Sequence, residues 1–278
     1  MNIIKTIPEM REFRKTLCES VGFVPTMGYL HEGHVSLIRK AKAENASVIV
    51  SIFVNPTQFG PNEDFESYPR DIEGDIEILK EEGVDAVFIP EASEIYPCEF
   101  NSRVEVIGIT QKLEGNSRPG HFRGVTTVVN KLFNIVTPDR AYFGQKDAQQ
   151  AIVIKKMVAD LNMNLEIVVC PTIREPDGLA ISSRNVYLSP EARQSATVLY
   201  RSLMLARDLY EQGERSAETI RKEMVRLIKT EETARIDYVS IADPVTLDEL
   251  DEVSGKALIS LAVKFYKTRL IDNIIPGG

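Results

Sequence analysis

The sequence predicts an α/β fold: a parallel sheet with helices on both faces, followed by a smaller C-terminal α+β domain. Three observations predict it. Strand-like and helix-like periodicities alternate as far as residue 171, in units of about 35 residues, the size of a βαβ unit. The run ASVIVSIFVNP is too apolar for a half-exposed strand and reads as buried on both faces. After TIREPDGLA the order changes to long helical stretches and then strand-like ones.

VGFVPTMG is a short apolar run broken by Pro25 and Gly28, so it reads as a strand ending in a loop. From about His34, Val35, Leu37, Ile38 and Ala41 recur at helical spacing. ASVIVSIFVNP is β-branched and reads as a buried strand. DIEGDIEILKEEG reads as a helix, VDAVFIP as a strand, and VTTVVNKLFNIVT as a helix despite its β-branched residues. RAYFG, DAQQAIVIKKMVADL and LEIVVCP continue as strand, helix and strand. We place a boundary near Glu175, giving domains 1–175 and 176–278. SPEARQSATVLYRSLMLARDLYEQG reads as one helix, with Ser189 as N-cap, Pro190 at its first position and Gly213 ending it. SAETIRKEMVRLIKT predicts a further helix, and IDYVSIAD and KALISLAVKF predict strands of a small mixed sheet.

Composition narrows the function classes. Hydrophobic residues make up 43 % and charged residues 27 %, enough for a core and against global disorder. Thirty-three basic against 41 acidic residues give a net charge of −8, which disfavours nucleic acid or an anionic membrane as partner. No apolar run approaches the roughly 18 residues of a membrane span. The start, MNIIKTIPEMREF, lacks a signal-peptide pattern. Cys18, Cys98 and Cys170 are far apart and odd in number, which points to a reducing compartment rather than a disulfide framework or zinc site. A cytoplasmic protein is expected.

The stretch PTMGYLHEGH holds two of the chain's three histidines, His31 and His34, where the first predicted strand gives way to a helix. The N–H groups of a helix start carry partial positive charge and suit phosphate. Two imidazoles one turn apart can address the same group. Gly33 would let a flat base approach the backbone. Two surface histidines beside a helix cap is the plain alternative. Zinc would need more ligands than the remaining histidine, His121, supplies. The glycine spacing fits neither the dinucleotide fingerprint nor a P-loop.

PTMGYLHEGH resembles the HxGH signature of the adenylate-forming α/β superfamily, which includes class I aminoacyl-tRNA synthetases and several nucleotidyltransferases. SIFVNPTQFGPNEDFESYPRD, RPGHFRGV, AYFGQKDAQQ, DGLAISSRN and the closing RLIDN narrow the resemblance to the pantoate–β-alanine ligase family, over nearly the whole chain. Gln145 stands where relatives often carry Glu, and Gly74 where they often carry an acid. The resemblance implies a Rossmann-like N-terminal domain, a smaller lid-like C-terminal domain and a homodimer. It implies condensation of pantoate with β-alanine through a pantoyl-adenylate, with ATP split to AMP and pyrophosphate and Mg²⁺ required.

It also implies site residues. Met27, Gly28, Tyr29, Leu30, His31, Glu32, Gly33 and His34 would line the ATP site, with both histidines on the phosphates. Gly144, Gln145, Lys146 and Asp147 form the second ATP-binding stretch, Lys146 being the fixed cation; Asp147 either holds ribose or caps the next helix. Ile173 would contact adenine. Ile181, Ser182, Ser183 and Arg184 resemble the superfamily's second phosphate-binding loop, and the Asp177–Gly178 turn upstream would let it close. His34, His31, Lys146 and Arg184 are the expected catalytic set. Gln58 and Gln150 match the pantoate contacts, with Asn55 shaping their pocket, and Asp75 is a candidate Mg²⁺ ligand. Arg118, His121 and Arg123 would steer the β-alanine carboxylate or hold the dimer. A nucleotidyltransferase acting on a phosphorylated acceptor, or a silent nucleotide-binding protein, would share HxGH and the serine loop. The glutamines at the acceptor site disfavour the first, and the retained histidines, Lys146 and Arg184 the second. A tRNA ligase is disfavoured by the acidic charge balance.

Overall fold

The computed structural model describes residues 1–61 and 63–276. The chain divides into two compact units, one of Met1–Gln145 with Gln149–Pro171, the other of Lys146–Ala148 with Thr172–Gly278.

The first unit opens with β1 (Asn2–Ile4) and α1 (Ile7–Lys15). Neither was predicted, because both are too short for periodicity to register. A capping box marks α1: Thr6 Oγ1 accepts the Glu9 N–H at 3.4 Å, and the Glu9 carboxylate accepts the Thr6 N–H at 3.2 Å. β2 (Val21–Thr26), α2 (Glu32–Glu44), β3 (Ser47–Ile52), α3 (Ile72–Glu81) and β4 (Ala86–Phe88) follow. Two single-turn helices come next, α4 (Ala92–Ile95) and α5 (Glu114–Ser117). The unit then runs through α6 (His121–Val136), β5 (Arg140–Gly144), α7 (Ala148–Asp160) and β6 (Glu166–Cys170). The strands form one parallel sheet in the order β1-β4-β3-β2-β5-β6.

Alternation along each strand builds a core on both faces. Phe23, Ile49, Phe88 and Phe143 pack with Met10 of α1, Val129 and Leu132 of α6, and Ile154 and Met157 of α7. Val24, Val50, Val87 and Tyr142 pack with Leu37, Ile38 and Ala41 of α2 and Leu79 of α3. Each such burial contributes about 1.5–3 kcal/mol. That is why α6 is helical against the propensity of its valines: Val125, Val128 and Val129 are all buried, and packing outweighs tenths of a kcal/mol of propensity. The chain leaves β2 for β3 and β4 on one side, and β5 and β6 lie on the other. The switch point therefore falls between β2 and β5, where ligands of such sheets bind beyond the carboxyl ends.

The second unit contains α8 (Pro190–Ser195), α9 (Val198–Glu211), α10 (Ala217–Ile228) and the strands β7 (Ala234–Ala242), β8 (Leu258–Phe265) and β9 (Thr268–Ile274). The single helix expected over 189–213 is two. Both ends are as predicted: Ser189 Oγ accepts the Ala192 N–H at 3.2 Å, and Gly213 lies at φ 99°. The break follows from Thr197, whose hydroxyl donates to the Gln194 carbonyl at 2.8 Å in competition with the helical ladder. The sheet, ordered β7-β8-β9, is antiparallel throughout rather than mixed. β9 was not predicted, because the two-residue turn at Tyr266 and Lys267 carries no Asn or Gly to mark it. Leu199, Leu203, Ile220 and Met224 of the helices pack against Ile259, Leu261 and Val263 of β8. Among the described residues, no helix is long and apolar enough to cross a membrane.

Candidate active site

The loop leaving β2 turns on two left-handed residues, Gly28 at φ 83° and Tyr29 at φ 53°. A β-carbon at Gly28 would sit 2.9 Å from both the Asp75 carboxylate and Ile52, so only glycine fits. Thr26 Oγ1 donates to the Ser51 carbonyl at 2.8 Å and accepts the Gly28 N–H at 3.1 Å. His31 then stands at the N-cap of α2 in extended conformation. Its backbone N–H donates to His34 Nδ1 at 3.3 Å, and the two rings stack at 4.0 Å. Because Nδ1 accepts, the neutral His34 ring carries its proton on Nε2. A β-carbon at Gly33 would meet the His31 ring at 2.9 Å, so the glycine makes room for that imidazole. Glu32 is exposed and paired with Arg39 at 2.7 Å. Met27, Tyr29 and the two histidines are half-buried, whereas Leu30 is buried.

Asp75 of α3 is 2 % exposed. Its two oxygens accept the N–H groups of Tyr29 at 2.8 Å and Leu30 at 2.6 Å. Burial pushes its carboxyl above the usual range, against the lowering effect of those two bonds. A carboxylate so enclosed does not fit the metal-ligand role, and among the described residues no group of three or more His, Cys, Asp or Glu could hold a metal ion.

A second cluster in this unit surrounds Gln58. Asn55, 1 % exposed, donates to Gln58 Oε1 at 3.1 Å and to the Gly124 carbonyl at 3.2 Å. Its own oxygen accepts the Tyr96 hydroxyl at 2.8 Å. The Gln58 amide is thereby oriented with Nε2 toward Met27 Sδ, 3.0 Å away, which ties the glutamine to the histidine loop. Asn55 does more than shape a pocket: it fixes which end of the Gln58 amide faces which partner. Gln150 is half-buried on α7. Its neighbour Gln149 is the structural amide, spent on Ile109, Lys112 and Glu114.

Beneath Gln58 lies His121, with Nδ1 2.8 Å from the Gln58 carbonyl and Nε2 3.1 Å from an Arg118 nitrogen. Nδ1 therefore donates and Nε2 accepts. Arg118 is in turn paired with Glu63 by two bonds, of 2.7 and 2.6 Å. Burial, assisted by the Arg118 charge, brings the His121 pKa down to about 4. Its unfolded value is near 6.5, so the folded state binds fewer protons between the two. Stability from this group is complete above about pH 6.5 and is lost as pH falls toward 4, by roughly 3 kcal/mol in all. We expect urea-unfolding free energies to decline from pH 7 to pH 4.5 and His121→Gln to flatten that decline. An equal slope in the variant would exclude His121 as its source.

Lys146, Asp147, Ile173, Ile181, Ser182, Ser183 and Arg184 belong to the second unit. Lys146, two residues past the end of β5, has its carbonyl held by the Asn273 side chain at 2.9 Å, and its ammonium lies 3.6 Å from Asp147. Gly144 and Gln145 stay with the first unit. A β-carbon at Gly144 would meet open space. The Ile173 carbonyl accepts the Ile181 N–H at 3.0 Å. Ser182 Oγ accepts the Arg184 N–H at 3.3 Å, capping a tight turn over Ser183–Tyr187 in which Ser183 is buried. The Asp177–Gly178 turn is braced, with Arg193 on Asp177 at 2.7 Å and Arg174 on the Gly178 carbonyl at 3.0 Å. Arg174 also forks onto Asp272, at 2.6 and 2.9 Å. Asp272 and Asn273 were missed as site-building residues. The RLIDN string contained them, but nothing in its periodicity separates them from strand residues.

A family model described as pantoate-beta-alanine ligase matches residues 2–275. A pantothenate synthetase of Acetivibrio thermocellus is 58 % identical over 278 residues, covering 99 % of each chain. One of Thermotoga petrophila is 56 % identical over 280 residues, covering all of both. Among solved structures, pantothenate synthetase of Thermus thermophilus superposes with a TM-score of 0.95 at 49 % identity, covering 99 % of each chain. Pantoate-beta-alanine ligase of Francisella tularensis, described as complexed with beta-gamma ATP and beta-alanine, gives 0.82 at 40 %, covering 99 % of this chain and 97 % of that one.

Proposed function

The chain belongs to the pantoate–β-alanine ligase family, whose members join pantoate to β-alanine at the expense of ATP, and we propose that its reaction runs through a pantoyl-adenylate. A pantoate carboxylate oxygen attacks the α-phosphorus of ATP, and the bond to the departing pyrophosphate breaks. The β-alanine amine, having lost a proton, attacks the acyl carbon and expels AMP. The product is pantothenate, a precursor of coenzyme A, with (R)-pantoate as the acid.

The observation that carries this reading is the stacked pair at the start of α2, where His34 is held by the His31 amide with its proton on Nε2. Both reactants of the first step are anions, so donors must be aligned before they meet. His31 and His34 donate to phosphate oxygens, and the loop Met27–Gly33 lies along the nucleotide. Lys146, Ser182, Ser183 and Arg184 supply hydroxyls and cations for the leaving pyrophosphate, while Gly144, Gln145, Asp147, Ile173 and Ile181 shape the nucleoside site. Gln58 and Gln150 hold pantoate through neutral amides, which bind it without pinning its carboxylate in an ion pair. We read the enzyme as a cytoplasmic homodimer; a sedimentation mass of one chain would refute the dimer.

Pyrophosphate exchange into ATP, with and without pantoate, tests the reaction. Pantoate-dependent exchange followed by AMP-forming amide synthesis on adding β-alanine is expected. Exchange without pantoate would favour a nucleotidyltransferase instead. A further prediction concerns Gly124 of α6, whose missing β-carbon would fall 2.4 Å from the Thr57 carbonyl oxygen and 2.7 Å from Gln58 Cα. Overpacking of this kind costs about 1–3 kcal/mol. Gly124→Ala is expected to raise the pantoate KM at least roughly tenfold with a smaller change in the ATP KM; equal changes in both would remove Gln58 from the pantoate site.

A further inference from the structure

We propose that Asp75 is a positioning residue for the adenylation step, its buried carboxylate filling the backbone nest of the histidine loop and so setting where the two imidazoles stand. The inference rests on the role given above to His31 and His34.

Successive backbone N–H groups in a turn can point at one place and make a cradle for an anion. The turn through Gly28 and Tyr29 makes one, and the amides that converge are those of Tyr29 and Leu30. In a nucleotide-binding loop the ready occupant of a nest is a phosphate. Here the occupant is internal: Asp75, reaching across from α3, takes one amide on each oxygen. The nest is therefore closed to the nucleotide, and phosphate recognition falls to what comes after it in the chain, the His31–His34 pair and the start of α2. The carboxylate also holds Tyr29, a residue with a β-carbon, at φ 53°, a conformation that costs energy without support. The fit is close on every side. Gly28 allows no β-carbon against the carboxylate, and Asp75 is 2 % exposed. Two residues separate Leu30 from Gly33, and the first of them is His31, so a rotation at Tyr29 is carried directly into the imidazole stack.

Asp75→Asn is the informative variant. An amide of the same shape offers one acceptor oxygen and turns its NH₂ on the other N–H, so one of the two bonds is replaced by a donor facing a donor. A displacement of about 1 Å at a reacting group costs roughly 10²-fold. We expect Asp75→Asn to slow pantoate-dependent pyrophosphate exchange by about that factor. The second half-reaction, transfer from preformed pantoyl-adenylate to β-alanine, should change less than about threefold, being free of the adenylation geometry. The Mg²⁺ concentration giving half-maximal exchange should be unchanged.

Gly28→Ala, which presses on the same carboxylate from the other side, should give the same split between half-reactions, and it stands as the test if Asp75→Asn does not fold. Equal loss in both half-reactions would reduce Asp75 to a fold residue, and a shifted Mg²⁺ requirement would return it to the metal. Undiminished exchange in Asp75→Asn would overturn the inference outright. Absence of pantoate-dependent exchange in the unmodified enzyme would instead overturn the reading on which it rests.

Discussion

Replacing His34 with alanine should slow pantoate-dependent pyrophosphate exchange by roughly 10²–10³-fold, the usual loss for one well-placed donor to a developing charge. The geometry explains why this ring matters more than a mobile surface histidine would. Its Nδ1 is committed to the His31 amide at 3.3 Å, and its face is against the His31 ring at 4.0 Å. Position and tautomer are therefore set before substrate arrives, and no ordering cost falls on the reacting complex. Alanine also removes a cap acceptor, worth about 1 kcal/mol of helix stability. His34→Gln separates the two effects, because glutamine three residues past an N-cap can still accept its backbone N–H. We expect the glutamine variant to recover most of the thermal stability and little of the exchange rate. Recovery of exchange along with stability would show that His34 acts as a cap alone.

Asp272→Ala should destabilise the second unit by about 3–5 kcal/mol, the penalty for stranding the partner of a buried ion pair. Asp272 is 2 % exposed and takes both arms of the Arg174 fork, at 2.6 and 2.9 Å. It also accepts the Asn273 N–H at 2.8 Å. Arg174 lies over the Tyr200 ring at 4.6 Å, which adds attraction on its remaining face. With its carboxylate partner gone the half-buried guanidinium keeps only the Gly178 carbonyl and the Tyr200 face. Activity should fall too, because Asn273, the next residue, holds the Lys146 carbonyl. Urea unfolding followed by tyrosine fluorescence measures the first effect and the ATP KM the second. A loss below about 1 kcal/mol would mark the pair as no stronger than a surface one.

What the sequence disclosed follows from how each feature is encoded. The parallel sheet was legible because strands buried on both faces, such as β3, are written as unbroken apolar runs. The histidine pair was legible because histidine is scarce and the spacing matches one helical turn. Asp75 was located correctly on a helix, but its work depends on a contact 45 and 46 residues away in sequence, which no local pattern records. The approach of the His31 ring to Gly33 was hidden for the same reason, being a matter of rotamer rather than of spacing. β1, α1 and β9 were invisible because the first two are short and the turn before the last is built from Tyr and Lys. His121 was grouped with Arg118 and Arg123 by sequence alone, and only the fold shows that burial between Gln58 and Arg118 makes its ring neutral at physiological pH.

The three residues Lys146–Ala148, in the middle of the first unit's sequence, belong to the second. A proteolytic nick or gene split at 171/172 would thus not yield two self-sufficient pieces. The N-terminal fragment would carry away a lysine whose carbonyl belongs to Asn273, and the C-terminal fragment would be left with an amide that has lost its acceptor. Complementation between separately expressed halves is therefore expected to need both present during folding, and a transplanted C-terminal portion would bring the tether but not the carbonyl it holds.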